Sequence, residues 1–282
     1  MGKGKYPVPV IKWAGGKRQL LPKIVSCLPV DFHRYYEPFF GGGALFCELM
    51  PVAATVNDVN EELIHMYLQI KENPDKVCRE LSDLEQIYNG KILMEEKDVL
   101  YYEWRNLFNQ YLLKKEDSNS AFFAALMIFL NKAGFNGLYR VNSSGMYNVP
   151  SAHRKFVRAC DADNIMALSN VLRNTEILCG DFADICQNAV AGDFVFFDSP
   201  YYGTFDYYQT GGFSESDHLR LFDLFVALSR KGVFCMMTNS NCDFIRHLYR
   251  DFLIETVDVK RMINCDGKHR VGQEVIVRNY CE

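Results

Sequence analysis

Asp198-Ser199-Pro200-Tyr201 follows the apolar run Phe194-Val195-Phe196-Phe197 and opens a loop rich in glycine and tyrosine. An acid, a proline and an aromatic at the mouth of a buried strand suit a flat molecule that carries an amino group. The carboxylate and nearby backbone carbonyls accept hydrogen bonds from the amine, and the tyrosine ring stacks on the plane. In open α/β sheets, ligands bind in the loops that follow the carboxyl ends of strands.

Two further groupings bear on ligands. Glu37-Pro38-Phe39-Phe40-Gly41-Gly42-Gly43 is a glycine-rich strand-to-helix turn, and glycines let a ligand approach the backbone closely. Asp58 follows a second strand, at a distance typical of acids that hold ribose hydroxyls in nucleotide-binding βαβ units. The alternative for this pair is a tight turn with a helix-capping acid. Lys12-Trp13-Ala14-Gly15-Gly16-Lys17 invites a phosphate-loop reading, which fails because Arg18, not Ser or Thr, follows Lys17 and the upstream glycine spacing is wrong. The segment fits either a ligand wall, with an aromatic and a cation for a carboxylate, or a buried Trp at a turn.

Strands and helices must position these groups. Gln19 to Leu28 is expected as a short helix, Arg34 to Phe39 as a strand, Ala44 to Met50 as a helix, and Ala53 to Val56 as a strand ending at Asn57-Asp58. From about Asn60 to Ala159 the pattern turns helical, with Leu63, Met66, Tyr67 and Ile70, and Tyr101, Trp104, Leu107, Phe108 and Leu112, at helical spacing. A helix from Ala121 to Lys132 leads into the turn-rich Ala133-Gly134-Phe135-Asn136-Gly137 and a hairpin around Asn142-Ser143-Ser144-Gly145. Strands are then expected at Thr175 to Cys179, Asp193 to Asp198, Val233 to Thr238 and Phe252 to Val259. Ser214 caps a helix to Arg230, and Val271 to Tyr280 holds a last strand, antiparallel to its predecessor. Alternation on both sides of a helical insertion predicts an α/β protein with a mostly parallel sheet covered on both faces. The divided domain spans 1–59 and 160–282, and the insertion spans 60–159.

The chain of 282 residues has no apolar stretch near the roughly 20 residues of a membrane span. The basic start lacks the long apolar region of a secretory signal. Ten cysteines include no Cys-x-x-Cys pair, which argues against a zinc site or redox motif and for buried thiols in a reducing cytoplasm. The net charge of −4 disfavours nucleic acid taken as a total. Its distribution does not: Asn131 to Cys160 lacks acids but holds Lys132, Arg140, Arg154, Lys155 and Arg158. Met1 to Val30 also lacks acids, while acids concentrate between Asp58 and Glu103. Such polarity steers a polyanion to one face, although it also describes an ordinary solvated surface.

Taken together, these motifs resemble the Dam-type DNA adenine-N6 methyltransferases (α group, D12 class). The resemblance rests on Lys12 to Lys17, Glu37 to Gly43, Asp58-Val59-Asn60, Asn131, Gly134 to Leu138, Arg140 and Asn148-Val149-Pro150. It continues through Asp181-Phe182, Asp198 to Tyr201, and Thr238-Asn239. It implies a Rossmann-like S-adenosylmethionine-dependent methyltransferase sheet with an inserted helical DNA-recognition domain. The activity implied is methyl transfer from S-adenosylmethionine to N6 of a flipped adenine in duplex DNA, with GATC as the family's usual target.

By the same resemblance, Asp198, Ser199, Pro200 and Tyr201 are catalytic. Trp13, Ala14, Gly15, Gly16, Lys17, Glu37, Pro38, Phe39, Gly41 and Gly43 line the methionine side of the cofactor. Asp58 takes the ribose, with Val59 beside the adenine, Asp181 and Phe182 bind the adenine ring, and Asp198 and Pro200 also border the cofactor. Lys12, Lys132, Phe135, Asn136, Leu138, Arg140, Asn148, Pro150 and Arg154 meet the DNA, with Phe135 and Asn136 filling the gap left by the flipped base. His153 is the alternative to Arg154 as occupant of the family's arginine position. The family usually has proline at the position of Ser199, where the group expected to act is the backbone carbonyl. No metal, membrane or obligate protein partner is expected, and the protein is expected to be a cytoplasmic, nucleoid-associated monomer. The same kind of site also serves methylation of an RNA base or a protein amide, and a catalytically silent DNA-binding homologue is a third reading. The basic segment Asn131 to Arg158 favours duplex DNA, and intact Asp198, Tyr201, Gly41, Gly43 and Asp58 favour activity.

Overall fold

A computed structural model of the chain describes residues 7–13, 15–17, 19–114, 120–203, 212–260 and 271–281. In chain order its helices and strands are α1 (Leu21–Ser26), β1 (Tyr35–Glu37), α2 (Ala44–Leu49), β2 (Ala54–Asp58), α3 (Glu61–Glu72), α4 (Pro74–Gly90), α5 (Met94–Lys114) and α6 (Ala121–Ala133). They continue with α7 (Ala162–Leu172), β3 (Thr175–Cys179), α8 (Phe182–Ile185), β4 (Phe194–Phe197), α9 (Glu215–Arg230), β5 (Phe234–Ser240), α10 (Asp243–Leu248), β6 (Leu253–Lys260) and β7 (Val271–Arg278). No helix among the described residues is long and apolar enough to cross a membrane.

The chain forms two compact units. One contains the described residues of Met1–Gly16, Gly41–Met50 and Asn60–Cys179, and the other those of Lys17–Phe40, Pro51–Val59 and Gly180–Glu282.

In the first unit, α6 is the central helix. Its sequence AFFAALMIFLNKA is apolar nearly all round and almost every residue is buried, so neighbours must cover each face. It packs against α3, α4 and α5. Trp104 and Tyr88 meet the Phe129 ring edge-on, and Phe108 stacks on Phe123 at 4.8 Å. Helix starts follow local chemistry: Ser120 accepts from the Phe123 N–H, Asn60 from Leu63 and Asp161 from Asn164. In this unit α4 and α7 have no counterpart in the sequence reading. Val77, Leu81, Leu84 and Tyr88 form the buried stripe of α4, and Pro74 sits in its first turn.

In the second unit the strands run in the order β2-β1-β4-β5-β7-β6. The pairs β1–β2, β1–β4 and β4–β5 are parallel, and β5–β7 and β6–β7 are antiparallel. The chain leaves β1 for β2 on one side and returns to β4 on the other. The carboxyl ends of β1 and β4 therefore flank a topological switch point, the usual ligand position in such sheets. All of β4 is buried. On one face it packs against Leu221, Phe225 and Leu228 of α9, a helix opened by a reciprocal capping box between Ser214 and Asp217. The expected last strand is present as β7, antiparallel to its predecessor β6 as expected, and it also pairs with β5 on its other side. The expected strand Arg34–Phe39 is shortened to Tyr35–Glu37 and the expected helix Gln19–Leu28 to Leu21–Ser26, because turns begin directly at their ends.

Candidate active site

Asp198 stands one residue beyond β4. Its Oδ1 accepts from the Thr238 hydroxyl of the neighbouring strand at 2.8 Å, and the same atom lies 2.6 Å from the Lys17 Nζ. That ammonium also rests over the Tyr201 ring, 4.6 Å from its centroid. A nitrogen is thus held by the carboxylate while it lies on the aromatic face. The Tyr201 hydroxyl donates to Glu274 Oε2 at 2.7 Å. Burial first, then the charges of Asp198 and Glu274, push the phenol well above its usual pKa, so it stays a donor. The loop beyond is fastened to β5: the Tyr202 N–H donates to Asn239 Oδ1, and the Ser240 hydroxyl donates to the Tyr202 carbonyl.

Glu37 closes β1, beside β4, and is 3% exposed. The Tyr35 hydroxyl donates to it at 2.8 Å. Burial nevertheless raises the Glu37 carboxyl well above the usual carboxylate range, and the charges of Asp198 and Asp58 add to this. Lys17 acts in the opposite direction. Asp58, at the end of β2, accepts the Gly180 N–H on its backbone carbonyl. Asn57, missed as a functional residue by sequence reasoning, is buried and organises these turns. Its Nδ2 donates to the Pro38 and Gly180 carbonyls, and its own carbonyl accepts the Phe40 N–H. An amide directly before the strand-end acid was the available signal.

Phe39 stacks on Phe182 at 5.2 Å, and Phe213 meets Phe39 edge-on. Both Asp181 oxygens accept from Arg220, whose guanidinium lies 5.0 Å from the Phe182 centroid. Ser199 is 2% exposed, and its Oγ is buried without a hydrogen-bond partner among the described residues. Pro200 is half-buried beside it, and Val59 is exposed.

In the first unit, Trp13 stacks on Tyr139 at 5.1 Å. Gly41 has φ +48°, and a Cβ there would stand 2.8 Å from Trp13 Cδ1, so only glycine fits. Gly43, at φ +63°, caps α2 from the left-handed region. Gly15 and Gly16 are exposed, whereas Ala14 lies outside the described residues.

Asn131 is a buried clamp in this unit. It accepts the Lys12 N–H and donates to the Lys12 and Gly137 carbonyls, so exposed Lys12 is tied to the turn after α6. The Phe135 N–H donates to the Pro150 carbonyl, and Gly134 bridges Ser151. The tip carries Phe135, 51% exposed, and Asn136, exposed in the left-handed region at φ +55°. Arg140 Nε donates to Asn148 Oδ1 at 2.7 Å, and the Asn148 N–H donates to the Arg140 carbonyl. The expected hairpin is a short one, bridged at Val141–Tyr147 around the Asn142–Gly145 turn. Leu138 is half-buried and Pro150 exposed. Lys132 is half-buried, and desolvation lowers its pKa. Arg154 is exposed, with its carbonyl fixed by the Tyr88 hydroxyl, while His153 pairs with Asp98 at 2.8 Å.

Residues 13–263 match the family of D12 class N6 adenine-specific DNA methyltransferases. The chain is 38% identical over 281 residues to the type II methyltransferase M1.LlaDCHI of Lactococcus lactis subsp. cremoris, covering 96% of this chain and 95% of that protein. It is 37% identical over 289 residues to the type II methyltransferase M.MjaIII of Methanocaldococcus jannaschii, covering 96% and 99%. To the DNA adenine methylase of Escherichia coli (strain K12) it is 27% identical over 277 residues, covering 96% and 94%.

Two consequences are measurable. An acid whose pKa rises on folding binds more protons folded than unfolded, so its contribution is complete below the ordinary value of 4.5 and is lost as pH climbs through the raised value. Glu37→Gln removes that loss. In a pH series of thermal unfolding without ligand, the variant is expected to melt above the intact chain at pH 8, with the gap closing toward pH 4.5; a gap independent of pH contradicts the raised carboxyl. Ser199→Ala deletes an unpaired buried hydroxyl and keeps the backbone carbonyl. Stability is expected to rise by about 1 kcal/mol, with turnover kept within about threefold.

Proposed function

Because this chain belongs to the D12 class of N6 adenine-specific DNA methyltransferases, we propose that it takes its methyl group from S-adenosylmethionine and delivers it to an adenine flipped out of duplex DNA, within GATC. The observation that carries this reading is the nitrogen lodged at Asp198. Lys17 brings an amine to Asp198 Oδ1 at 2.6 Å while lying 4.6 Å from the Tyr201 centroid, which is the pairing of contacts a stacked aminopurine needs.

Flipping a base costs a few kcal/mol, and stacking on Tyr201 returns roughly 1–3 kcal/mol of it. The adenine amine displaces Lys17 from Asp198. An aromatic amine is a poor nucleophile because its lone pair is delocalised into the ring. Hydrogen bonds to the Asp198 carboxylate and the Ser199 carbonyl favour a more tetrahedral nitrogen with that pair directed at the methyl. Thr238 and Lys17 hold the carboxylate in place beforehand, so positioning supplies much of the catalysis.

The donor set fits the cofactor's chemistry: Glu37 for an ammonium, Asp58 for ribose hydroxyls, and Phe39, Asp181 and Phe182 for an adenine. Bound S-adenosylmethionine supplies an electrophilic methyl group on a sulfonium. Trp13, Gly15, Gly16, Lys17, Pro38, Gly41, Gly43, Val59 and Pro200 complete the proposed cofactor contacts. Glu37 offers its carboxyl oxygens to the ammonium, and Arg220 yields at least one Asp181 oxygen to the adenine.

The segment 60–159 serves as the DNA-recognition part. Asn148 orients Arg140 for bidentate reading of guanine, Leu138 suits a thymine methyl, and the exposed Phe135–Asn136 tip fills the vacated stack. Lys12, Lys132, Pro150 and Arg154 support the DNA. The proposed working form is a monomer in the cytoplasm.

Radiolabelled methyl incorporation into unmethylated plasmid, followed by base-resolution mapping, tests this reading. Labelled adenines confined to GATC are expected, with none for Asp198→Ala. Cofactor binding without incorporation by the intact chain overturns the activity, and label outside GATC overturns the site. Arg140→Ala is expected to relax selection at one base pair by about 1–3 kcal/mol in competition among single-substituted duplexes. An equal loss on every sequence removes Arg140 from base reading.

A further inference from the structure

We propose that Glu274 is a positioning residue for the methylation reaction: its contact with the Tyr201 hydroxyl pins the far end of the ring on which the target base stacks. This rests on the reading of Tyr201 as the stacking platform. The contact is 2.7 Å, within the range of a hydroxyl donating to a carboxylate. A ring held only through its own Cα–Cβ bond swings about that bond. A second attachment at the far end of the ring stops that motion and costs no ordering when the base arrives.

The position of Glu274 suits the task. It lies on β7, between Ser240 of β5 and Val257 of β6, hydrogen-bonded strands on both sides. The same rung holds the catalytic loop twice, since Ser240 donates to the Tyr202 carbonyl while Glu274 accepts from Tyr201. The neighbouring Asn239 adds a third hold on the Tyr202 N–H. The loop that carries Asp198 to Tyr202 is therefore registered against β5 and β7 as a unit. Lys17 lies over the ring while Glu274 takes the hydroxyl, so the two grips act on different parts of Tyr201. The competing reading is that a largely buried phenol needs any acceptor at all. That reading gives stability a dependence on Glu274 and gives the stacked base none.

The test compares the intact chain with Glu274→Ala, Glu274→Gln and Tyr201→Phe, on GATC duplexes with adenine or 2-aminopurine at the target position. Turnover of the intact chain reports separately on the methylation reading itself. For Glu274→Ala, kcat is expected to fall on the order of 10- to 100-fold, the worth of a hydrogen bond to a charged group. Its S-adenosylmethionine Kd should stay within about twofold of the intact chain's, as no cofactor contact is removed. Emission from the flipped 2-aminopurine should rise as stacking loosens. Glu274→Gln retains an acceptor and should restore most of the rate. Tyr201→Phe should match Glu274→Ala, with the double variant no worse than either single one. Turnover and 2-aminopurine emission unchanged in Glu274→Ala overturn the proposal. So does a kcat loss in Glu274→Ala that Tyr201→Phe, which alters no backbone partner, fails to reproduce.

Discussion

A carboxyl group at the mouth of a wholly apolar strand is the constraint from which the site follows. β4 buries Phe194 to Phe197, and Asp198 is the first polar side chain it delivers. A charge so placed needs partners, because desolvation without them costs several kcal/mol. Thr238 supplies one from the adjacent parallel strand and Lys17 another. Their presence holds the carboxylate in one orientation, which is what an acceptor for an amine requires. The same crowding of negative charge bears on Glu37 one strand away, which sits buried and held toward its neutral form.

Buried asparagines carry much of the remaining organisation. Asn57 joins two strand-end turns, Asn131 ties Lys12 to the turn after α6, and Asn239 captures the loop beyond Tyr201. An amide both donates and accepts, so a single side chain satisfies backbone groups on two segments that lack a ladder of their own. Glycine meets the complementary need where space runs out, as at Gly41 against the Trp13 ring.

Much of this was legible beforehand. The apolar run ending at Asp198, the capped helix from Ser214 and the parallel core strands came from period and capping chemistry alone. Helix α4 did not: its stripe of Val77, Leu81, Leu84 and Tyr88 is diluted by charges, and the segment registered as acidic before it registered as periodic. The place of β7 was out of reach because pairing antiparallel to β6 says nothing about which side it occupies. Lys17 was assigned to the cofactor from its motif, and its contact with Asp198 links residues 181 positions apart, which no local pattern encodes. Glu274 escaped for the same reason. An acid beside Gln273 at the head of the apolar run Val275-Ile276-Val277 looks like a solvent-facing position until its cross-loop partner is known.

Insertion of β7 between β5 and β6 also dictates an order of assembly. A nascent chain that has reached Lys260 has made β6 but not the strand that joins it to the sheet. Until residues 271–278 arrive, β5 presents an unpaired edge and β6 lacks its hydrogen-bonded neighbour β7, a state exposed to strand pairing with other chains. The loop bearing Tyr201 gains its Glu274 anchor in the same event. Closure of the sheet and anchoring of the loop bearing Tyr201 are thus one late, long-range step.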